Sequence, residues 1–255
     1  MSSDDGTLKY GAWEAPQEAD ARRKLAELLE HSPIPPQYLI DNLSLYLRRH
    51  QLGDLLSLVE LYQQILERPG IIMEFGVLHG RHMATFTALR ALYEPFNTLR
   101  RVVGFDTFTG FPDIAEVDRV SPSAVPGRFA VTADGPDHLR AVLAAHESAE
   151  PYGHLERTAV IEGDVRETVP RFLEEHPDTI IALAYFDLDL YEPTRVVLDA
   201  IRPHLHKGSI LAFDELDHPK WPGETRAVRE AVDLLQLDLK LIPTREPPIT
   251  YAKWV

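Results

Sequence analysis

From residue 70 onward, short apolar runs alternate with stretches of helical periodicity. This alternation limits what the chain can fold into more than any other feature of it. Strand-length runs lie at Ile71–Phe75, Arg101–Phe105, Ala159–Glu162, Ile180–Phe186 and Ser209–Phe213. Each is followed by polar or glycine-containing residues and then by apolar positions at helical spacing. Strands alternating with helices read as βαβ units on a largely parallel sheet, joined by right-handed crossovers. The rhythm changes at the end: Leu237–Ile242 and Ile249–Trp254 flank Pro243, Pro247 and Pro248 with no helix between them. Two strands without a crossover helix pair antiparallel. The expected fold class is therefore α/β, a doubly wound, mostly parallel seven-stranded sheet with a C-terminal antiparallel hairpin. A helical extension over residues 1–69, suited to lid or dimer contacts, is expected to precede a domain over 70–255.

In that extension Leu25, Leu28 and Leu29 suggest a short helix, ended by Pro33, Pro35 and Pro36. A second helix is expected through Leu52, Leu55, Leu56, Val59, Leu61, Tyr62, Ile65 and Leu66, which follow a period of about 3.6 residues. No apolar run approaches the ~20 residues of a membrane span. Residues 1–20 are polar and acidic, without the basic flank and apolar core of a secretory signal, and the chain has no cysteine. These features fit a cytoplasmic protein without disulfides. Forty acidic against 26 basic residues leave a net charge of −14. Such a surface repels phosphate backbones, so nucleic acid is a poor partner, whereas a cationic or neutral small molecule or a metal ion fits.

Ligands of doubly wound sheets bind beyond the carboxyl ends of the strands, so the residues just past each strand are the candidates. After the first comes Glu74-Phe75-Gly76-Val77-Leu78-His79-Gly80, a strand-to-helix turn whose glycines allow a ligand close to the backbone. It is not the dinucleotide fingerprint, because Glu74 stands where the first glycine belongs; a tight turn shaped for steric reasons is the alternative. Asp106, closing the second strand, is either a ribose acceptor or a turn and cap residue. Asp164, after the third, either accepts from a nucleobase amine or caps the next helix. After the fourth, Asp187 and Asp189 fall on one face of extended backbone, ~7 Å apart, a repulsive pair unless a cation lies nearby. After the fifth come Asp214 and Glu215. Asp187, Asp214 and Glu215 supply the hard oxygens that hold Mg²⁺ or Ca²⁺.

These residues resemble a known group. Glu74-x-Gly76-x-x-x-Gly80, Asp106 and Asp164 look like the cofactor stations of class I S-adenosylmethionine-dependent methyltransferases, whose fold is Rossmann-like. A more specific resemblance is to the macrocin-type sugar O-methyltransferases of antibiotic biosynthesis. It rests on the run Asp187-Leu188-Asp189-Leu190-Tyr191-Glu192-Pro193-Thr194, the acidic pair Asp214-Glu215 and the segment Gly104–Pro112, and it covers roughly residues 70–235. That family has two aspartates where this chain has Asp214-Glu215. The resemblance implies a metal-dependent O-methyltransferase moving a methyl group from S-adenosylmethionine to a sugar hydroxyl of a glycosylated natural product. Glu74, Gly76, Gly80, Asp106 and Asp164 would bind the cofactor. Asp187, Asp214 and Glu215 would hold Mg²⁺, with Asp187 or Asp189 as the base. Tyr191 and Trp221 would stack on the acceptor, Trp221-Pro222-Gly223 reading as a loop near the metal. His79, Arg81 and His82 receive no role. The implied partner is a small-molecule glycoside, with no nucleic acid or membrane, in a homodimer or higher homo-oligomer. Four rival readings remain: a metal-dependent hydrolase using the same carboxylates, an O-methyltransferase of small phenols or catechols, a nucleotide-binding oxidoreductase, and a non-catalytic module that keeps the fold and cofactor pocket.

Overall fold

The structure, a computed structural model, describes residues 15–255; residues 1–14 of the expected extension lie outside it. The chain forms two compact units divided between Leu52 and Gly53. In the first, helix α1 (Pro16–Glu30) starts on proline at its first position, and Glu18 accepts a hydrogen bond from the Ala15 N–H (3.2 Å). A four-residue α2 (Pro36–Leu39) and a 3₁₀ stretch (Ile40–Tyr46) follow, so the prolines that end α1 also open α2. No residue between 15 and 52 is buried.

Helix α3 (Arg49–Ile65) runs from the first unit into the second. Its buried residues from Gly53 on are Gly53, Asp54, Ser57, Leu58, Leu61, Tyr62 and Ile65, one helical stripe, whereas Leu52 and Leu56 are exposed. The expected helix is there, turned so that two polar side chains point inward.

The second unit is the α/β sheet. Strands β1 (Ile71–Phe75), β2 (Val102–Asp106), β3 (Thr158–Glu162), β4 (Ile181–Phe186) and β5 (Leu205–Phe213) are parallel. Strands β6 (Leu239–Ile242) and β7 (Ile249–Lys253) add an antiparallel hairpin, giving the order β3-β2-β1-β4-β5-β7-β6. The expected architecture is found. Helices α4 (Arg81–Tyr93) and α5 (Gly135–Ser148), with α3, cover one face through Leu58, Leu61, Met83, Phe86, Leu139 and Leu143. Helices α6 (Val165–Glu175), α7 (Tyr191–Ile201) and α8 (Pro222–Ala231) cover the other through Val169, Phe172, Val197, Leu198 and Val228. Trp221-Pro222-Gly223, expected as a loop, instead opens α8: Pro222 lacks only an N–H that the first helical turn leaves unused.

One packing feature positions the site. The neighbouring strands β2, β1, β4 and β5 carry Phe105, Phe75, Phe186 and Phe213 in register. Their rings form a continuous buried row, with centroids 5.7, 5.0 and 5.0 Å apart. Fixing the register by one aromatic row fixes the next residue of every strand too. Those residues are Asp106, Gly76, Asp187 and Asp214, and by strand alternation they face the opposite side, toward α3 and α4.

Candidate active site

The strand ends continue the ladder by one residue. Gly76 N donates to Phe105 O (2.9 Å), Asp187 N to Phe75 O (2.9 Å) and Asp214 N to Phe186 O (3.0 Å). Asp187 and Asp214 therefore sit one strand spacing apart, roughly 4.8 Å. Gly76 has φ +89°, and a Cβ there would lie 1.9 Å from the Asp187 carbonyl oxygen. The glycine turn and the acidic strand end thus touch through their backbones.

The turn is braced from β2. Asp106 accepts from Val77 N (2.6 Å) and Leu78 N (2.7 Å) with Oδ2, and from Phe108 N (2.7 Å) with Oδ1. The alternative reading of Asp106 as a turn residue is realised, and the half-buried carboxylate keeps lone pairs beyond those three bonds. Gly80, at φ +83°, opens α4 without a side-chain cap, so the first N–H groups of that helix have no side-chain partner from the cap position. Glu74 lies behind the turn, fully buried, and neither of its oxygens has a hydrogen-bond partner. Burial raises its pKa against the opposing pull of His82, whose Nδ1 lies 3.6 Å away. Asp164 caps α6 by accepting from Arg166 N (2.9 Å) and pairs with the Arg166 side chain (2.6 Å), which also holds Asp113. The capping reading of Asp164 is realised here as well.

Asp187, Asp189, Asp214, Glu215 and Glu224 form an acidic group at the β4 and β5 ends. Asp187 and Asp189 do not share the face of an extended strand, as the spacing alone suggested. Strand β4 stops at Phe186, and Asp189 takes a left-handed conformation (φ +61°) as the chain turns into α7. Burial, and next the charge of Asp214, raise the pKa of Asp187, Asp189, Glu215 and Glu224. Glu224 Oε1 accepts from Glu215 N (3.0 Å), while Glu224 Oε2 has no hydrogen-bond partner and Glu215 Oε2 faces His218 Nδ1 at 3.2 Å. Buried carboxylates with spare oxygens are a donor set suited to a hard divalent cation. As the side chains stand, however, no three His, Asp or Glu groups among the described residues are arranged to hold one. Both oxygens of Asp214 are instead taken by the Arg245 guanidinium.

Several participants were not legible in the sequence. Arg245 arrives from the β6–β7 loop, and Glu224 from the first turn of α8. Asp54, on α3, meets His82 Nε2 (3.3 Å) and Arg81 Nε (3.0 Å). His82, buried against these carboxylates, has its pKa raised to about 10: burial opposes the charge, but Asp54 and Glu74 outweigh it. Asp118, from the segment after β2, accepts from Tyr191 N (3.2 Å) at the start of α7, and its pKa is raised to about 6 by burial. Only the paired glycines and histidines of residues 76–82 carried a local signal. Of the two residues expected on the acceptor, Tyr191 donates its hydroxyl to Glu230 and lies beneath Arg226 (5.8 Å). Trp221 is buried against Phe111 (6.0 Å) and Phe129 (6.5 Å), where it pins the segment after β2 to the start of α8.

Residues 73–216 match the family model of a methyltransferase domain. The chain belongs to this methyltransferase family. It is similar over its whole length to CalS11, the calicheamicin methyltransferase. Identity is 57%, the match covers 100% of this chain and 99% of that one, and the TM-score is 0.93. The apo structure of CalS11, a TDP-rhamnose 3'-O-methyltransferase of calicheamicin biosynthesis, matches at 52% identity over 97% of this chain and 99% of that one, with a TM-score of 0.84. The O-methyltransferase NovP shares the fold at 20% identity, over 79% of each chain, with a TM-score of 0.61. No curated protein matches the sequence. The methyltransferase is an S-adenosylmethionine-dependent O-methyltransferase, and none of its described helices is long and apolar enough to cross a membrane.

Proposed function

We propose that this methyltransferase transfers the methyl group of S-adenosylmethionine to a sugar hydroxyl in antibiotic biosynthesis, the sugar being carried by a nucleotide or a natural product. The observation that carries the reading is the similarity to CalS11 over the entire chain at 57% identity, which extends beyond the methyltransferase domain of residues 73–216.

The chain's own residues supply the following steps. The uncapped N-terminus of α4 receives the amino-acid carboxylate of the donor. Glu74, with His82 beside it, sets the charge under the turn. Asp106 keeps the turn in place and offers its remaining lone pairs to the ribose, and Asp164 stands beside the adenine end. Asp187, directly against Gly76, lies where an acceptor hydroxyl must approach the donor methyl. There it is placed to accept the hydroxyl proton, with Asp189 the alternative. Asp187, Asp214 and Glu215 would hold a divalent cation such as Mg²⁺, whose chemistry there is to favour the ionised form of the hydroxyl. Trp221 and Tyr191 border the acceptor side. Holding both substrates at one ladder end supplies the orientation that in-line displacement requires. The leucines exposed among the described residues before 70, such as Leu28, Leu43, Leu45 and Leu52, are the expected contact between two copies, which scattering mass in solution tests.

The test is transfer of a ¹³C-labelled methyl from the donor, followed by NMR, with TDP-rhamnose and catechol as rival acceptors and calorimetry of donor and NAD binding. The reading expects donor binding, no NAD binding and a labelled sugar methyl ether. A labelled catechol ether alone would replace the sugar by a phenol, and absence of donor binding would end the reading.

A further inference from the structure

A guanidinium, that of Arg245, enters the acidic group at the β4 and β5 ends, and it comes from outside the part of the chain that the family model matches. The loop between β6 and β7, with prolines at 243, 247 and 248, delivers Arg245 beneath the strand ends. Its side chain is 12% exposed. Nη1 and Nη2 sit on Oδ1 and Oδ2 of Asp214 as a two-point fork, with Nη2–Oδ2 at 3.1 Å. Asp214 Oδ1 also accepts from the Tyr185 hydroxyl (3.0 Å). Three of the roughly four lone-pair positions of that carboxylate are therefore in use. Arg245 Nη1 has a second acid within reach, Asp54 Oδ1, at 3.4 Å. The other oxygen of Asp54 faces His82 and Arg81.

A forked guanidinium and a divalent ion ask the same thing of Asp214, its in-plane lone pairs, and both are positive. They cannot share it. We propose that Arg245 is the built-in counter-ion of the acidic group and competes with the divalent cation for Asp214, moving wholly onto Asp54 when the cation is seated. The inference rests on the metal-dependent reading given above and adds to it a residue with two berths. Without the cation, Arg245 neutralises Asp214 and keeps a crowded set of carboxylates compact. With it, Asp214 is released and the guanidinium remains as the positive wall of the site.

Mn²⁺ serves as the probe, its binding to the full-length protein measured by electron paramagnetic resonance and calorimetry. Arg245→Met is expected to bind Mn²⁺ at least tenfold more tightly than wild type, and Arg245→Lys to fall between them. Mn²⁺ is also expected to raise the melting temperature of Arg245→Met more than that of wild type. Should the Met variant fail to fold, the unmodified protein supplies the readout: the Arg245 Nε–H resonance should shift on adding Mg²⁺. If wild type and Arg245→Met bind Mn²⁺ equally, or that resonance stays fixed while the ion binds, the competition is refuted and the metal-dependent reading stands. If neither protein binds Mn²⁺, the metal-dependent reading fails and the competition fails with it.

Discussion

Replacing Gly76 by alanine tests whether the donor turn and the acidic strand end are fitted to one another. Two costs arise. At φ +89° an alanine pays the left-handed penalty, ~1–2 kcal/mol. Its Cβ would also stand 1.9 Å from the Asp187 carbonyl oxygen, where ordinary contact begins at 3.4 Å. Neither neighbour is a flexible side-chain end, so the turn or the Asp187 backbone must give way. The ladder bond from Asp187 N to Phe75 O, 2.9 Å long, is strained with it, at a further ~1 kcal/mol. Gly76→Ala should therefore lose roughly 2–3 kcal/mol of stability. A displacement of about 1 Å at a reacting centre costs on the order of a hundredfold in rate, so single-turnover methyl transfer should fall by at least about that factor. Gly208 is the matched control. Its φ is +95°, but the nearest atoms its Cβ would meet are those of the Arg68 guanidinium, the far end of a flexible side chain, at the start of β5 and far from Asp214. Gly208→Ala should lose ~1–2 kcal/mol and leave transfer unchanged. Urea denaturation and rapid-quench transfer measure both. Equal transfer rates in the two variants would refute the fitted-turn argument.

Two further perturbations have definite signs. Glu147 is buried between Arg90 Nη2 (2.7 Å) and Arg157 Nη2 (3.2 Å), themselves buried; Glu147→Gln strands two guanidinium charges and should lower unfolding free energy by ~3–5 kcal/mol in denaturant titrations, a loss below ~1 kcal/mol contradicting it. Asp118 has its pKa raised from 3.8 to about 6, so the folded state holds that proton more tightly than the unfolded one. Its contribution is present below pH 3.8 and is lost as pH rises through about 6. Melting temperatures of wild type and Asp118→Asn should accordingly diverge between pH 4 and 7 in the variant's favour, and parallel curves would remove the assignment.

The sheet was legible because each strand is a short apolar run bounded by turn-forming residues, and the site lies one residue past those runs. Tertiary choices were not. The apolar positions of α3 cover more than one stripe, and periodicity alone does not say which meets the sheet. The stripe that does carries Asp54 and Ser57, because Arg245, His82 and Thr244 await them. Asp106 and Asp164 were placed correctly at strand ends, yet their side chains bond to nearby backbone N–H groups, a local competition that residue type leaves open. Asp187 and Asp189 were read on a straight strand, whereas β4 ends at Phe186 and Asp189 takes a left-handed conformation. Arg245 gave no signal at all, since its relation to Asp214 exists only through the β6–β7 hairpin.

Asp187→Asn tests the central claim most directly, that a base beside the glycine turn accepts the proton of an acceptor hydroxyl while the donor is held independently. Calorimetry with S-adenosylhomocysteine and single-turnover transfer to TDP-rhamnose are measured on the same preparation. The account predicts product affinity within about threefold of wild type and transfer reduced at least about a hundredfold, the lower range of general-base contributions. Transfer at the wild-type rate in Asp187→Asn would contradict it.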